Sequence, residues 1–156
     1  MLEITIPGYK TLQLHHLVMD YNGTLAVDGV LLDGVRDRLI ALSEILQLHV
    51  VTANTFGIAR SQLNGLPCLL SILPVEDQAG AKLAYIQRLG EDQVIAIGNG
   101  RNDHQMVQAA ALGIAIIQGE GAARETCLAA DVLAPDILAA LDLLLFPKRL
   151  IATLRS

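Results

Sequence analysis

The chain has no tryptophan, and aromatic residues make up only 3% of it. Large rings therefore cannot build the interior, and the 53% hydrophobic content must pack as a dense core of Leu, Ile, Val and Ala. Disorder is excluded by the same content set against 17% charged residues. Cationic charge is also scarce: eleven Lys and Arg face sixteen Asp and Glu, for a net charge of −5. No broad attraction for nucleic acid or an anionic membrane follows from that balance, so the expected partners include neither. Long apolar runs are missing too, because the stretch Ile137 to Phe146 is short and broken by Asp142. With no basic-then-apolar export signal at the start, the expected location is cytoplasmic. Cys68 and Cys127 lack CxxC spacing and read as free thiols. His15, His16, His49 and His104 show no paired zinc-ligand spacing, and His49 lies inside an apparent strand where packing is its expected role.

What is present fits one domain spanning residues 1–156. Apolar, β-rich segments alternate with stretches of helical period, the pattern of a parallel sheet covered by helices. Core strands are expected at His16 to Met19, His49 to Thr52, Leu69 to Leu73, Gln93 to Ile97 and Gly113 to Ile117. Between the first two, Val35, Leu39, Ile40, Leu42 and Ile45 recur at helical intervals, giving a βαβ crossover. Further helices are expected around Gly57 to Leu63, Glu76 to Leu89, Asp103 to Ala111, Ala122 to Leu128 and Pro135 to Leu145. Leu2 to Ile6 reads as an extra strand, and Leu25 to Leu32 as a hairpin turning at Asp28-Gly29. The basic tail from Lys148 to Arg155 reads as a solvated helix end.

Open parallel sheets bind ligands beyond the carboxyl ends of their strands. Asp20 follows Leu17-Val18-Met19, Thr52 follows His49-Val50-Val51, and Asn99 and Asp103 follow Val94 to Gly98, with Lys82 on a helix between them. Taken singly, each has an ordinary structural explanation: Asp20 as a turn residue, Thr52 as a strand end, Lys82 on a solvated face, Asp103 as a helix N-cap, and Asn99 with Gly100 as a turn pair.

Together they resemble the haloacid dehalogenase superfamily. Leu17-Val18-Met19-Asp20-Tyr21-Asn22-Gly23-Thr24 is similar to the superfamily's aspartyl nucleophile motif, with Asn22 in place of the usual second aspartate. The run Ile95-Ala96-Ile97-Gly98-Asn99-Gly100-Arg101-Asn102-Asp103 resembles its acidic metal-binding loop, with Asn99 where the first aspartate is usual. Ala109 to Ile116 and Ala129 to Leu133 resemble its C-terminal run, so the likeness covers almost the whole chain in the correct order. Its nearest likeness within the superfamily is to the phosphorylation domain of P-type ATPases, which also lack an aspartate two residues after the nucleophile. The resemblance implies a three-layer α/β/α, Rossmann-like fold with a central, mainly parallel sheet. Only 32 positions separate Asp20 from Thr52 and 30 separate Thr52 from Lys82, too few for a cap domain at either usual place.

The implied activity is that of a Mg²⁺-dependent phosphohydrolase or phosphoryl-transfer protein, with Asp20 as nucleophile. Thr52, Ala53 and Lys82 would hold phosphoryl oxygens, and Lys82 would favour the Asp20 anion. Asp20, the Asn22 backbone carbonyl, Asn99 and Asp103 are the expected Mg²⁺ ligands, since a hard cation takes oxygen donors. Asn22 cannot shuttle a proton, so turnover is expected to be slow. The substrate would be a phosphorylated small molecule or a phosphoprotein, and without a cap either a homo-oligomer closes the site or the site stays open. The alternative is a non-catalytic regulatory protein of the same fold that binds phosphate or metal.

Overall fold

Alternate side chains along the central strands point into two different cores, and this decides the architecture. The computed structural model describes residues 1–53 and 57–156. In chain order the strands are β1 (Leu2–Ile6), β2 (Lys10–Leu14), β3 (His16–Asp20), β4 (Ala26–Val27), β5 (Val30–Leu31), β6 (Gln47–Thr52), β7 (Cys68–Ile72), β8 (Val94–Gly98), β9 (Leu112–Ile116) and β10 (Val132–Ala134). The helices are α1 (Val35–Ser43), α2 (Ile58–Gln62), α3 (Gln78–Leu89), α4 (His104–Ala109), α5 (Arg124–Ala129), α6 (Ile137–Leu145) and α7 (Pro147–Leu154).

Six strands form one parallel sheet in the order β10-β9-β8-β3-β6-β7. Leu17 and Met19 of β3 join Ile95 and Ile97 of β8 in a core with α1, α6 and α7, whereas Val18, Val94 and Ala96 join Ile86 of α3 and Met106 and Val107 of α4 in a second core. Helices thus cover both faces, giving the three-layer α/β/α fold. The chain builds outward from β3 through β6 to β7, then returns to place β8 on the other side of β3. The strand order therefore reverses between β3 and β8, where a crevice opens at the strands' carboxyl ends.

Local sequence explains the elements around that crevice. In α1, Val35, Leu39 and Leu42 are buried at helical spacing. In α6, Ile137, Ala140, Leu141 and Leu144 do the same, and the Asp136 carboxylate caps the helix by accepting from Ala139 N at 2.7 Å. The β4–β5 hairpin turns at Asp28 and Gly29, both at positive φ, as the Asp-Gly pair predicts. Tyr21 pins that turn, its hydroxyl donating to Gly29 O at 2.8 Å. A β-carbon at Gly113 would overlap the Val107 carbonyl, so a glycine is what lets β9 and α4 approach.

Three elements extend the expected set. β2 pairs antiparallel with β1, burying Leu12 and Leu14 while Lys10, Thr11 and Gln13 face solvent; five alternating residues running straight into β3 hide its boundary. β10 is only three residues long, and its edge place follows from the sheet order. The basic tail forms α7, whose Leu150 is wholly buried, so one face packs and only the other is solvated. Both cysteines are free. Among the described residues no helix is long and apolar enough to cross a membrane, and no separate cap domain is present.

His49, 2% exposed, packs as expected and is hydrogen-bonded at both ring nitrogens. His16 Nδ1 lies 3.1 Å from its Nε2, and the Tyr85 hydroxyl lies 2.8 Å from its Nδ1. Burial, together with the neighbouring His16, pushes its pKa down to about 4. The folded chain thus keeps His49 neutral while the unfolded chain protonates it near its ordinary value, so stability is present above about pH 6.5 and is lost as pH falls toward 4. Urea unfolding should show a decline of about 2 kcal/mol over that window. The His49 ring signals in NMR should titrate near pH 4; titration at an ordinary histidine pKa would contradict this account.

Candidate active site

Asp20 closes β3, Thr52 closes β6 and Asn99 follows β8, so the expected residues meet at the carboxyl edge of the sheet. Lys82 comes from α3, which starts where the Asp77 carboxylate accepts from Gly80 N at 3.1 Å. Buried at 1% exposure, the Lys82 ammonium donates to Asp20 Oδ1 at 2.8 Å and to Asp103 Oδ1 at 2.7 Å. It also approaches Asn102 Oδ1 at 3.4 Å. One cation thus bridges a carboxylate at the end of β3 and another in the loop after β8, leaving the three groups with a net charge of −1 once Asp20 is ionised.

Asp103 is fully buried, and its second oxygen accepts from the backbone N–H groups of Asn99 at 3.0 Å and Gly100 at 2.9 Å. With Oδ1 given to Lys82 and Oδ2 to the loop, Asp103 does not face the cleft. The expectation of Asp103 as a metal ligand therefore meets a carboxylate that instead shapes the β8 loop and anchors Lys82. Asn99 is 8% exposed; its Oδ1 accepts from the Thr24 hydroxyl at 3.3 Å and its Nδ2 donates to Gly121 O at 3.0 Å. A β-carbon at Gly23, whose φ is +80°, would overlap the Asn99 side chain, so the glycine lets the two loops touch.

Burial is the largest influence on Asp20, and with the Asp103 charge it raises the Asp20 pKa to about 7. The lowering expected from Lys82 is present but outweighed. Burial also works against the Lys82 charge, yet the two carboxylates overcome it and hold the ammonium above the ordinary lysine value.

Asp20, Asn22, Thr52, Ala53 and Asn99 line a cleft of about 350 Å³ together with Gln78, Gly100, Asn102 and Glu120. The structure thus brings the expected residues together, with Lys82 and Asp103 beneath the cleft. A larger hollow of about 590 Å³ by Leu66 and Leu69 lies away from this chemistry. Sequence reasoning missed Gln78, Asn102 and Glu120. Gln78 sits four residues before Lys82 on the same helix face, and Asn102 adjoins Asp103, so both carried a positional signal. Glu120, alone in a loop, carried none. Gln118 was missed as well: its Nε2 donates to Gly23 O at 3.1 Å and Thr24 O at 2.7 Å while its Oε1 accepts from Ile137 N at 2.9 Å, tying the nucleophile loop to α6.

Among the described residues no group of three or more His, Cys, Asp or Glu forms a ready-made metal cluster. The available donors are the Asp20 carboxylate and the oxygens of Asn22 and Asn99, a hard-oxygen set beside an uncompensated negative charge, which fits a hard divalent cation.

Residues 78–132, which carry Lys82, Asn99 and Asp103, match the family model of haloacid dehalogenase-like hydrolases. An uncharacterised protein of Methanocaldococcus jannaschii is 46% identical over 80 residues, 49% of this chain and 86% of that protein. The chain belongs to the haloacid dehalogenase-like hydrolases. Solved structures extend the likeness of fold across this haloacid dehalogenase-like chain. A 3-deoxy-D-manno-octulosonate 8-phosphate phosphatase from Moraxella catarrhalis, solved with magnesium and phosphate ions and a KDO molecule, is 18% identical with a TM-score of 0.69, covering 91% of this chain and 94% of that one. The cobalt-bound deoxy-D-mannose-octulosonate 8-phosphate phosphatase of Haemophilus influenzae is 16% identical with a TM-score of 0.70, covering 85% and 88%.

Removing the shared cation should be costly, because it leaves two buried carboxylates facing one another. Lys82→Met is expected to lower unfolding free energy by about 3–5 kcal/mol at neutral pH. Lys82→Met combined with Asp103→Asn should lose less than the two single changes summed, which denaturant titration of all three variants measures.

Proposed function

We propose that the protein is a Mg²⁺-dependent phosphoryl-transfer enzyme that forms an aspartyl phosphate on Asp20 and hydrolyses it slowly. The observation that carries this reading is the division of the Asp20 carboxylate. Lys82 holds Oδ1 at 2.8 Å, while Oδ2, 3.5 Å from the Thr24 hydroxyl, belongs to a residue that lines the cleft. A carboxylate fixed by one oxygen at the sheet's reversal point is positioned to attack phosphorus with the other.

In the forward step an Asp20 oxygen forms a bond to phosphorus as the phosphorus–oxygen bond to the leaving group breaks. Thr52 and the Ala53 backbone N–H would hold phosphoryl oxygens, and Lys82 would balance their charge from below. Mg²⁺, held by Asp20, the Asn22 backbone carbonyl and Asn99, would offset charge repulsion between the phosphoryl group and the carboxylate. Asp103 acts through Lys82 and the β8 loop. Asn22 lines the cleft but can neither protonate a leaving oxygen nor deprotonate water, so assistance worth about 10²- to 10⁴-fold is missing. Leaving groups that depart without a proton, as from an acyl phosphate, suffer least.

A long-lived aspartyl phosphate is also what the likeness to the P-type ATPase phosphorylation domain suggests. The open cleft suits a phosphorylated small molecule or a phosphoprotein, with residues 1–156 acting as one unit. A second reading, a non-catalytic phosphate- or metal-binding regulatory protein, draws on the neutral side chains at both Asn22 and Asn99. Retention of Asp20, Lys82 and Asp103 in direct ionic contact favours the enzyme.

With Mg²⁺ and acetyl phosphate or beryllium fluoride, mass spectrometry should find one adduct, on Asp20 and lost in Asp20→Asn. No adduct under any metal condition selects the non-catalytic reading. Asn22→Asp should speed loss of the aspartyl phosphate by about 10²-fold or more; fast hydrolysis of alkyl phosphates by the unaltered chain, with no gain in Asn22→Asp, refutes slow turnover.

A further inference from the structure

The charge around the mouth of the cleft is one-sided. Beyond Asp20, and among the described residues, the lining side chains at Asn22, Thr52, Gln78, Asn99 and Asn102 are neutral, and the one remaining charged group is Glu120. Residues 54–56, next to the cleft in sequence, are Asn, Thr and Phe and bring no charge. Arg101 follows Gly100, but its guanidinium is 81% exposed and lies 3.5 Å from Glu125. Glu120 is itself exposed, and its Oε2 accepts from Asp28 N at 3.2 Å, joining the hairpin tip to the loop after β9. That contact also sets a second carboxylate-bearing residue, Asp28, beside it.

The neutral side of the mouth is a pair of amides, with Asn102 Nδ2 donating to Gln78 Oε1 at 2.6 Å. Such a pair offers hydrogen-bonding groups to hydroxyls but no charge to an anion. A leaving group with its own carboxylate or second phosphate would find no cation there and would be brought within a Debye length of Glu120.

We infer that Glu120 determines specificity at this cleft, favouring phosphate esters whose leaving group is uncharged or cationic and disfavouring those whose leaving group is anionic. The inference rests on the cleft being the phosphoryl site proposed above. It adds the class of leaving group, which neither the Asp20 motif nor the fold specifies.

Matched phosphate esters test it by equilibrium binding to the Mg²⁺-loaded protein. Glycerol 1-phosphate and 3-phosphoglycerate share a three-carbon skeleton and differ in the carboxylate; phosphoethanolamine supplies a cationic leaving group. At low ionic strength 3-phosphoglycerate should bind about five-fold more weakly than glycerol 1-phosphate, with phosphoethanolamine at least as tight as the latter. In Glu120→Gln, which keeps an acceptor for Asp28 N, the ratio should fall below about two-fold, and in Glu120→Lys it should invert. Equal or tighter binding of 3-phosphoglycerate overturns the inference, as does an unchanged ratio in Glu120→Gln or no binding by any of the three. Adduct formation on Asp20 from acetyl phosphate is scored separately in the same preparations. Loss of that adduct alone removes the phosphoryl-transfer reading, and a flat binding ratio with the adduct intact removes only the role of Glu120.

Discussion

The site depends on one buried ammonium shared by two carboxylates. Lys82 lies on α3, Asp20 at the end of β3 and Asp103 in the loop after β8, so the cation joins three segments distant in sequence. Desolvating three charges is expensive, and the arrangement persists because the second Asp103 oxygen is also satisfied, by the Asn99 and Gly100 N–H groups. The β8 loop is consequently shaped by the same carboxylate that aims the lysine. Geometry of the Asp20 carboxylate and conformation of the loop opposite it cannot vary independently.

Much of this was legible in the sequence. Apolar runs ending in Asp20, Thr52 and Gly98 mark parallel strands buried on both faces, and their order of appearance, with Lys82 between, placed the chemistry at one edge of the sheet. Asp28-Gly29 announced its hairpin because a type I′ turn, with positive φ at both central residues, joins strands closely and favours this pair. The role of Asp103 was not legible. An aspartate at that spacing satisfies a metal loop and an ion pair with Lys82 equally well, and side-chain direction alone separates them. Glu120 and Gln118 lie in a connection without periodicity, so nothing but tertiary structure shows that one borders the cleft and the other ties the nucleophile loop to α6.

The substitutions at positions 22 and 99 are not equivalent in the folded chain. Asn22 is exposed at the cleft, where an aspartate would meet solvent and substrate. Asn99 uses its amide N–H toward Gly121 O, a bond that a carboxylate cannot donate. Position 22 therefore bears on proton transfer, while position 99 also holds two loops together, and its neutral side chain has a structural reason independent of the reaction.

Both asparagines precede glycine, the pairing most prone to chemical ageing, in which the following backbone nitrogen closes a ring onto the side-chain amide. In the folded chain those nitrogens are already committed. Gly23 N donates to Ala26 O at 2.7 Å, and Gly100 N donates to Asp103 Oδ2 at 2.9 Å. Ring closure at either place requires the loop to give up a hydrogen bond first, and at Gly100 that bond belongs to the carboxylate gripped by Lys82. The ionic contact at the centre of the site thus also works against ageing at position 99, since ring closure there must break a hydrogen bond to the carboxylate that Lys82 holds.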